Sequence, residues 1–447
     1  MSATPAGRPD GGGGPGDVHV VRGGSPLTGT ISVPGDKSIS HRALLLAALA
    51  EGTSAIHGLS PGEDVARTLS AVAALGAEVG TDGASITVHG GRSRLHAPAA
   101  PLDLGNSGTG MRLLAGMVAT LPGTTTLTGD QSLRSRPMDR VAEPLSRMGA
   151  EVTGQGPTCL PPLEVSGGPL VGIEYTPPMA SAQVKSAILL AGIAADGETV
   201  VHEPVATRAH TEEMLAAAGA DIDFRRVGGG REIRVRRSTL AAGTYTVPGD
   251  PSQAAFWVVA GTIVPGSLVT VSGIQLGIER LGFLGVLRRM GATIEMDEAG
   301  SLTGSVTSYT CALHGTVIEA AEIPALDEVP ILAVAAATAL GTTRFKDVGE
   351  LRVKESDRLA GVAELVRAFG ADAAVDGDDL VVEGTGAPLR PARVDARGDH
   401  RMAMAAAVAG SACPASAGET TITGWGAVAT SYPGFADTLA HLASGRR

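Results

Sequence analysis

Apolar positions are concentrated in six long runs, each entered through a short polar turn. They lie in GDKSISHRALLLAALA (35–50), GNSGTGMRLLAGMVA (105–119), ASAQVKSAILLAGIA (180–194), GDPSQAAFWVVAGTI (249–263), ALDEVPILAVAAATA (325–339) and GDHRMAMAAAVAG (398–410). A helix that is apolar on every side must be buried, so the pattern predicts six interior helices. Ser, Asp or Asn stands where each N-cap belongs. After each run comes a glycine and a Thr/Val-rich strand, with turn glycines Gly52, Gly123, Gly197, Gly266, Gly341 and Gly418 at spacings of 69 to 77 residues.

A second pattern interleaves with the first. Amphipathic runs end in ALGAEV, RMGAEV, AAGADI, RMGATI and AFGADA, with glycines Gly76, Gly149, Gly219, Gly291 and Gly370 spaced 70 to 79 apart. Glycine is expected where a helix closes in a left-handed turn. Two patterns with one period imply six units of strand, helix, strand, helix and further strands, an α/β fold rather than a solenoid. The sixth copy is degenerate, because its last helix (436–443) runs into the C-terminus. VPGDKS (33–38) and VPGDPS (247–252) are near copies three units apart. They read as crossings between two domains, one of residues 35–247 and one of 18–34 with 248–447.

Composition narrows the function. A net charge of −11 on 447 residues excludes nucleic acid held by bulk charge. Cys159, Cys311 and Cys413 are odd in number and widely spaced, which suggests neither a disulfide framework nor a metal knuckle and fits a reducing cytoplasm. Residues 1–17 read as a flexible Gly/Pro-rich tail without the features of a signal peptide. The longest apolar runs fall short of the roughly 18 residues of a membrane span. A cytoplasmic protein without membrane or nucleic-acid partners is expected.

The chemistry sits where the helices begin. A helix N-terminus offers free N–H groups and roughly half a positive charge, so it attracts anions. Lys37, Arg42, Arg112, Gln183, Lys185, His400 and Arg401 fall in first turns of the apolar helices. Arg134, Arg136, Arg208, Lys354 and Arg358 precede the amphipathic ones. This is a focused cationic cleft in an acidic protein, suited to small polyanions. The chain has only four lysines, and three of them (Lys37, Lys185, Lys354) are in this set. Lysine can titrate where arginine cannot. Lys354 and Arg358, four apart, would share a helix face, with Glu355 between them as a buried acid–base group or half of a salt bridge. Asp327 is equally readable as a helix cap or a base. No complete P-loop, nucleophile elbow or His/Cys metal cluster is present.

Taken together, VPGDKSISHRAL, LGNSGTGMRLL, RSRPM, SAQVKSAILLAG, TRAHTE, IPALDEVP, LRVKESDRL and GDHRMAM resemble the enolpyruvyl (carboxyvinyl) transferase family over about residues 18–443. Within it they are most similar to the class II branch acting on shikimate-3-phosphate. The resemblance implies a two-domain inside-out α/β barrel, each domain three βαβαββ repeats around buried parallel helices, with the site in the interdomain cleft. It implies transfer of the enolpyruvyl group of phosphoenolpyruvate to the 5-hydroxyl of shikimate-3-phosphate with release of phosphate, without metal or organic cofactor, by a monomer. Other acceptors, UDP-N-acetylglucosamine or a specialised ring acid, are the alternative. The UDP-N-acetylglucosamine enzymes generally carry a Cys in the loop corresponding to 130–136, where this chain has none.

By the same resemblance, Lys37, Ser38, Arg42, Ser181, Ala182, Gln183, Arg208, Asp327 and Lys354 match the shikimate-3-phosphate site. Lys37, Gly108, Arg136, Gln183, Arg358 and Arg401 match the phosphoenolpyruvate site. Asp327 matches the base on the 5-hydroxyl and Glu355 a proton donor and acceptor, with Lys37 also catalytic. Departures are Ser107, Gly110 and Leu113 where many relatives have Ala, Ala and Pro, Thr430 where class I enzymes have a lysine, and no Asn-x-Thr-Arg motif near IQLGIERLG (274–282).

Overall fold

The computed structural model describes residues 17–298 and 303–445, so all but Asp17 of the expected 1–17 tail lies outside the described residues. The six apolar runs are helices Lys37–Leu49, Gly108–Val118, Ala182–Gly192, Pro251–Ile263, Val329–Thr338 and His400–Ser411. Their bodies are almost wholly buried: Leu44, Leu45, Leu114, Ile188, Val258, Leu332 and Ala406 expose nothing to solvent. Small residues let them touch backbone to backbone. A Cβ on Gly116 would lie 2.2 Å from the carbonyl oxygen of Ala187 on the next helix, so only glycine fits there.

Around these helices stand six sheets among the described residues, five of four strands and one of three. The second unit shows the plan. Strand Leu102–Asp103 leads into its inner helix and pairs in parallel with Gly123–Thr128. An outer helix, Asp139–Arg147, follows. The hairpin Glu151–Gln155 and Leu160–Gly167 then joins antiparallel to the central strand. This is the βαβαββ unit read from the two interleaved patterns. All eleven repeat glycines have φ between 74° and 111°, the left-handed region that closes each helix or opens each strand.

Two units borrow strands from afar. The first takes its leading strand from Thr244–Thr246, which pairs in parallel with Gly52–His57. The fourth takes its own from Thr28–Ser32, parallel to Leu268–Gln275. The degenerate sixth unit lacks a hairpin, and the N-terminal strand Val18–Arg22 takes the place antiparallel to Glu419–Thr423. Buried apolar side chains form two separate clusters, one drawn from residues between Ala43 and Val247, the other from Val21–Val33 together with Ala254–Leu442. The fold is thus an inside-out arrangement of two lobes, helices within and sheets without. Gly35 and Gly249 form an isolated antiparallel bridge.

Candidate active site

All six inner helices aim their first turns at one cleft between the lobes. Its wall includes Lys37 and Ser38, Gly108 and Thr109, Ala182 and Gln183, Ser252, Asp327 and Arg401, each in or beside the opening of a different helix or sharing its turn with a neighbour. The cleft encloses about 1450 Å³ of empty space including its mouth. Eight of its lining residues are Lys or Arg and six are Asp or Glu, a cationic excess inside a chain of net charge −11.

The caps explain why the N–H groups are oriented and free. Asp36, Ser107, Ser181, Asp250 and Asp399 each accept a backbone N–H within their own first turn. The fifth helix differs: its N-cap is Glu328, whose side chain makes no capping bond. Asp327 therefore does not cap. Its carboxylate faces Arg358 Nη1 at 3.4 Å, Arg401 Nη2 at 3.4 Å and Arg208 Nη2 at 4.0 Å. Burial alone would raise its pKa, but Arg401, Lys354, Arg358 and Arg208 together hold it well below the usual carboxylate range.

Glu355 is held similarly. Its Oε2 lies 2.6 Å from Arg358 Nη2 and its Oε1 3.9 Å from Arg136 Nη1. Against the effect of burial, Arg358, Arg136, His400 and Lys37 keep it ionised. Its carbonyl accepts a hydrogen bond from Ser132 of the opposite lobe at 2.9 Å. Helix Arg358–Ala368 begins only at Arg358, with Asp357 as its cap. Lys354 and Glu355 thus lie in the preceding turn, and the expected shared helix face of Lys354 and Arg358 is not formed; Lys354 Nζ instead points to the carbonyl of Ala325 at 3.4 Å.

The remaining expected residues assemble around these two carboxylates. Lys37 Nζ donates to Asp64 at 3.0 Å. Arg208 donates to the Ser38 hydroxyl at 3.0 Å. Gln183 donates to Thr109 at 2.8 Å and accepts from Arg112 at 2.8 Å, which fixes its amide between two helices. Arg136 is gripped by Asn106 and Ser132. Of the fourteen residues carried by the resemblance, Arg42 and Arg358 alone do not line the cleft. Arg42 is buried behind Ser38, bonded to its carbonyl, Thr211 and Ser186, and burial lowers its pKa to about 10. Arg358 is fully buried against Asp399 at 2.7 Å. Lys185, expected among the cleft cations, is not one: its ammonium is buried between Glu203 at 2.9 Å and Glu212 at 2.8 Å.

A sequence model described as EPSP synthase (3-phosphoshikimate 1-carboxyvinyltransferase) matches residues 21–439. The chain belongs to the EPSP synthase family. It is 46% identical over 434 residues to the 3-phosphoshikimate 1-carboxyvinyltransferase of Synechococcus sp. (strain JA-3-3Ab), covering 95% of this chain and 97% of that one. It is 48% identical over 425 residues to that of Gloeobacter violaceus, covering 93% and 96%. Among solved structures, EPSP synthase from Acinetobacter baumannii superposes with a TM-score of 0.81 at 38% identity, covering 95% of this chain and 98% of that one. The enolpyruvyl transferase NikO from Streptomyces tendae shares the fold, with a TM-score of 0.76 at 21% identity over 96% and 98% of the chains.

Sequence reasoning missed Asp64, Arg140, Glu279 and Arg280 in this EPSP synthase family site, all of which line the cleft. The repeat carried a usable signal. In units two, three and five the loop before the outer helix had already supplied Arg136, Arg208 and Lys354. The corresponding stretch supplies Arg280 just before helix Gly282–Arg289 in unit four, and Asp64 from the first turn of helix Glu63–Ala74 in unit one.

Proposed function

We propose that this chain transfers the carboxyvinyl group of phosphoenolpyruvate to the 5-hydroxyl of shikimate-3-phosphate and releases phosphate. The observation that carries the reading is the convergence of six helix openings and eight cations on a cleft containing two ionised carboxylates, in a member of the EPSP synthase family. Two polyanions repel each other, so a site that joins them needs positive potential on several sides and donors fixed in advance. We assign residues 35–247 to one lobe and 18–34 with 248–447 to the other, a division supported by the two separate apolar clusters. We take the chain to act as a monomer in the cytoplasm without metal or organic cofactor, as the family resemblance implies.

Shikimate-3-phosphate is held by Lys37, Ser38, Ser181, Ala182, Gln183, Arg208 and Lys354, with Arg42 steadying Ser38 from behind. Phosphoenolpyruvate is held by Lys37, Gly108, Arg136, Gln183, Arg358 and Arg401. Asp327 removes the proton of the 5-hydroxyl as its oxygen attacks the enol carbon, and Glu355 or Lys37 protonates the methylene carbon. Loss of a methyl proton then expels phosphate from the tetrahedral adduct and restores the double bond. The same cations that keep both carboxylates ionised are those the substrates engage. Binding of phosphate by Arg208 and Lys354 shares their charge and raises Asp327 toward a range where it can exchange protons; phosphoenolpyruvate at Arg136 and Arg358 does the same for Glu355.

Phosphate release with phosphoenolpyruvate and each acceptor in turn tests the reading. Turnover with shikimate-3-phosphate is expected. Turnover with UDP-N-acetylglucosamine and none with shikimate-3-phosphate would reverse the assignment.

A further inference from the structure

The two chain crossings between the lobes are held by one guanidinium. Arg280 donates from Nη1 to Asp36 Oδ2 at 2.7 Å and from Nη2 to Asp250 Oδ1 at 2.8 Å. All three side chains are at least 95% buried. Asp36 and Asp250 end the twin segments 33–36 and 247–250, whose backbones pair directly: the Asp36 N–H donates to Pro248 and the Asp250 N–H to Pro34. Each also caps an inner helix, Asp36 at Ile39 and Asp250 at Ser252.

From this point two short chains of bonds reach the chemistry. Asp250 Oδ2 accepts the backbone N–H of Lys37 at 3.2 Å. Arg280 Nη2 also meets Ser252 Oγ at 3.1 Å, and Ser252 donates to Glu328 at 2.5 Å, beside Asp327 in the chain. One buried arginine thus connects the lysine of one lobe with the acid of the other.

We propose that Arg280 is a positioning residue that sets the angle between the lobes, and with it the placement of Lys37 relative to Asp327. The inference rests on the roles given to those two residues above. Two buried carboxylates facing one another cannot both stay ionised without a cation. A guanidinium holds both through a rigid planar fork and so fixes their relative placement, whereas an ammonium would neutralise them as a point charge without fixing that geometry. Other charges approach this cluster: Arg42 and Arg208 toward Asp36, Arg401 toward Asp250, and Asp327 and Glu328 toward Arg280, with His210 beside it. Arg42 is committed to Thr211 and Ser186, and Arg401 to Asp327. Neither bridges the crossings.

The test compares full-length wild type, Arg280→Met and Arg280→Met/Asp250→Asn, with turnover followed from pH 5.5 to 9. Arg280→Met should lose about 10- to 100-fold in kcat, the size expected of a misplacement within an ångström or so. Its residual activity should fall with rising pH through a new neutral-range ionisation, as the second carboxylate loses its proton and pushes the crossings apart. The double variant removes that charge, so the ionisation should vanish and kcat should recover several-fold. A scaffold role alone would lower thermal stability without moving the pH profile; an unchanged profile in Arg280→Met, or no recovery in the double variant, overturns the proposal. If Arg280→Met does not fold, Arg280→Lys is read instead, and wild-type turnover there overturns the two-pronged contact. Small-angle scattering keeps the test independent of the assigned reaction. Wild type inactive on shikimate-3-phosphate would sink the functional reading, while Arg280→Met should still show a larger radius of gyration that Asp250→Asn reverses; equal radii would sink the positioning role.

Discussion

Gly108 opens the second inner helix directly beneath two guanidinium groups. A Cβ built there would stand 2.9 Å from Arg136 Nη1 and 3.1 Å from Arg112 Nη1. Relaxed contacts of this kind lie at about 3.5–4.0 Å, so Gly108→Ala must push Arg136 back by about 0.6 Å or more. Arg136 cannot yield freely, because Asn106 and Ser132 grip it from the other side. A hydrogen bond to a charged group contributes about 1.5–3 kcal/mol, and half of one lost in each of two contacts costs roughly 1.5–3 kcal/mol. That is a rise of about 10- to 150-fold in KM for phosphoenolpyruvate. The contact exists before and during the reaction, so kcat should change much less. The KM for shikimate-3-phosphate should hold. Steady-state phosphate release with each substrate varied in turn measures all three. Glyphosate, whose competition with phosphoenolpyruvate is expected to be appreciable in the unaltered chain, should weaken in the variant. A phosphoenolpyruvate KM within twofold of wild type would refute the steric argument, and inhibition constants above the millimolar range in wild type would refute the open pocket at Gly108.

Three further outcomes are expected. Glu355→Gln removes a proton carrier but keeps the shape, so kcat should fall about 10²-fold or more while both KM values stay within a few-fold; unchanged turnover would take Glu355 out of the mechanism. Lys185→Met removes the ammonium from buried Glu203 and leaves Glu212 with Arg231 alone, at a cost of about 3–5 kcal/mol. For a lobe of this size that is roughly 6–20 °C in Tm, and calorimetry finding a drop under about 2 °C would show that the buried pair contributes nothing. Burial holds His41, His210 and His400 well below the usual histidine range, with Lys37, Arg42, Arg280 and Arg401 adding to the effect. Unfolded histidines bind protons below about pH 6.5 where these do not, so stability should fall as pH drops through that value, by at most about 4 kcal/mol per pH unit for the three. The depressed Asp327 and Glu355 add their own loss only below about pH 4.5. Urea midpoints at pH 7.5 and 5.5 compare the two; equal midpoints would refute the histidine contribution.

Much of this was legible because the sequence repeats. A buried helix announces itself by having no polar face, and the turn glycines recur in each unit, so six units can be counted from the sequence. Individual roles were harder. Lys185 and Lys37 look alike in sequence, each a rare lysine in a first turn. Their fates are decided by neighbours about 20 to 30 residues away, Glu203 and Glu212 for one and Asp64 for the other. Asp327 or Glu328 as the cap depended on a single residue of helix phase, which periodicity does not resolve. Arg280 carries no local signal, because its partners, Asp36 and Asp250, lie 244 and 30 residues away.

The strand Val18–Arg22 finishes a sheet whose other members emerge at the far end of translation. One lobe is a single unbroken stretch and can close while synthesis continues. The other must keep Thr28–Ser32 waiting for Leu268–Gln275, and Val18–Arg22 waiting, unpaired, until Glu419–Thr423 leaves the ribosome. Its birth is therefore the later and more exposed of the two, and shifting residues 18–34 to the tail of a rearranged gene would bring the parts together in the order they are needed.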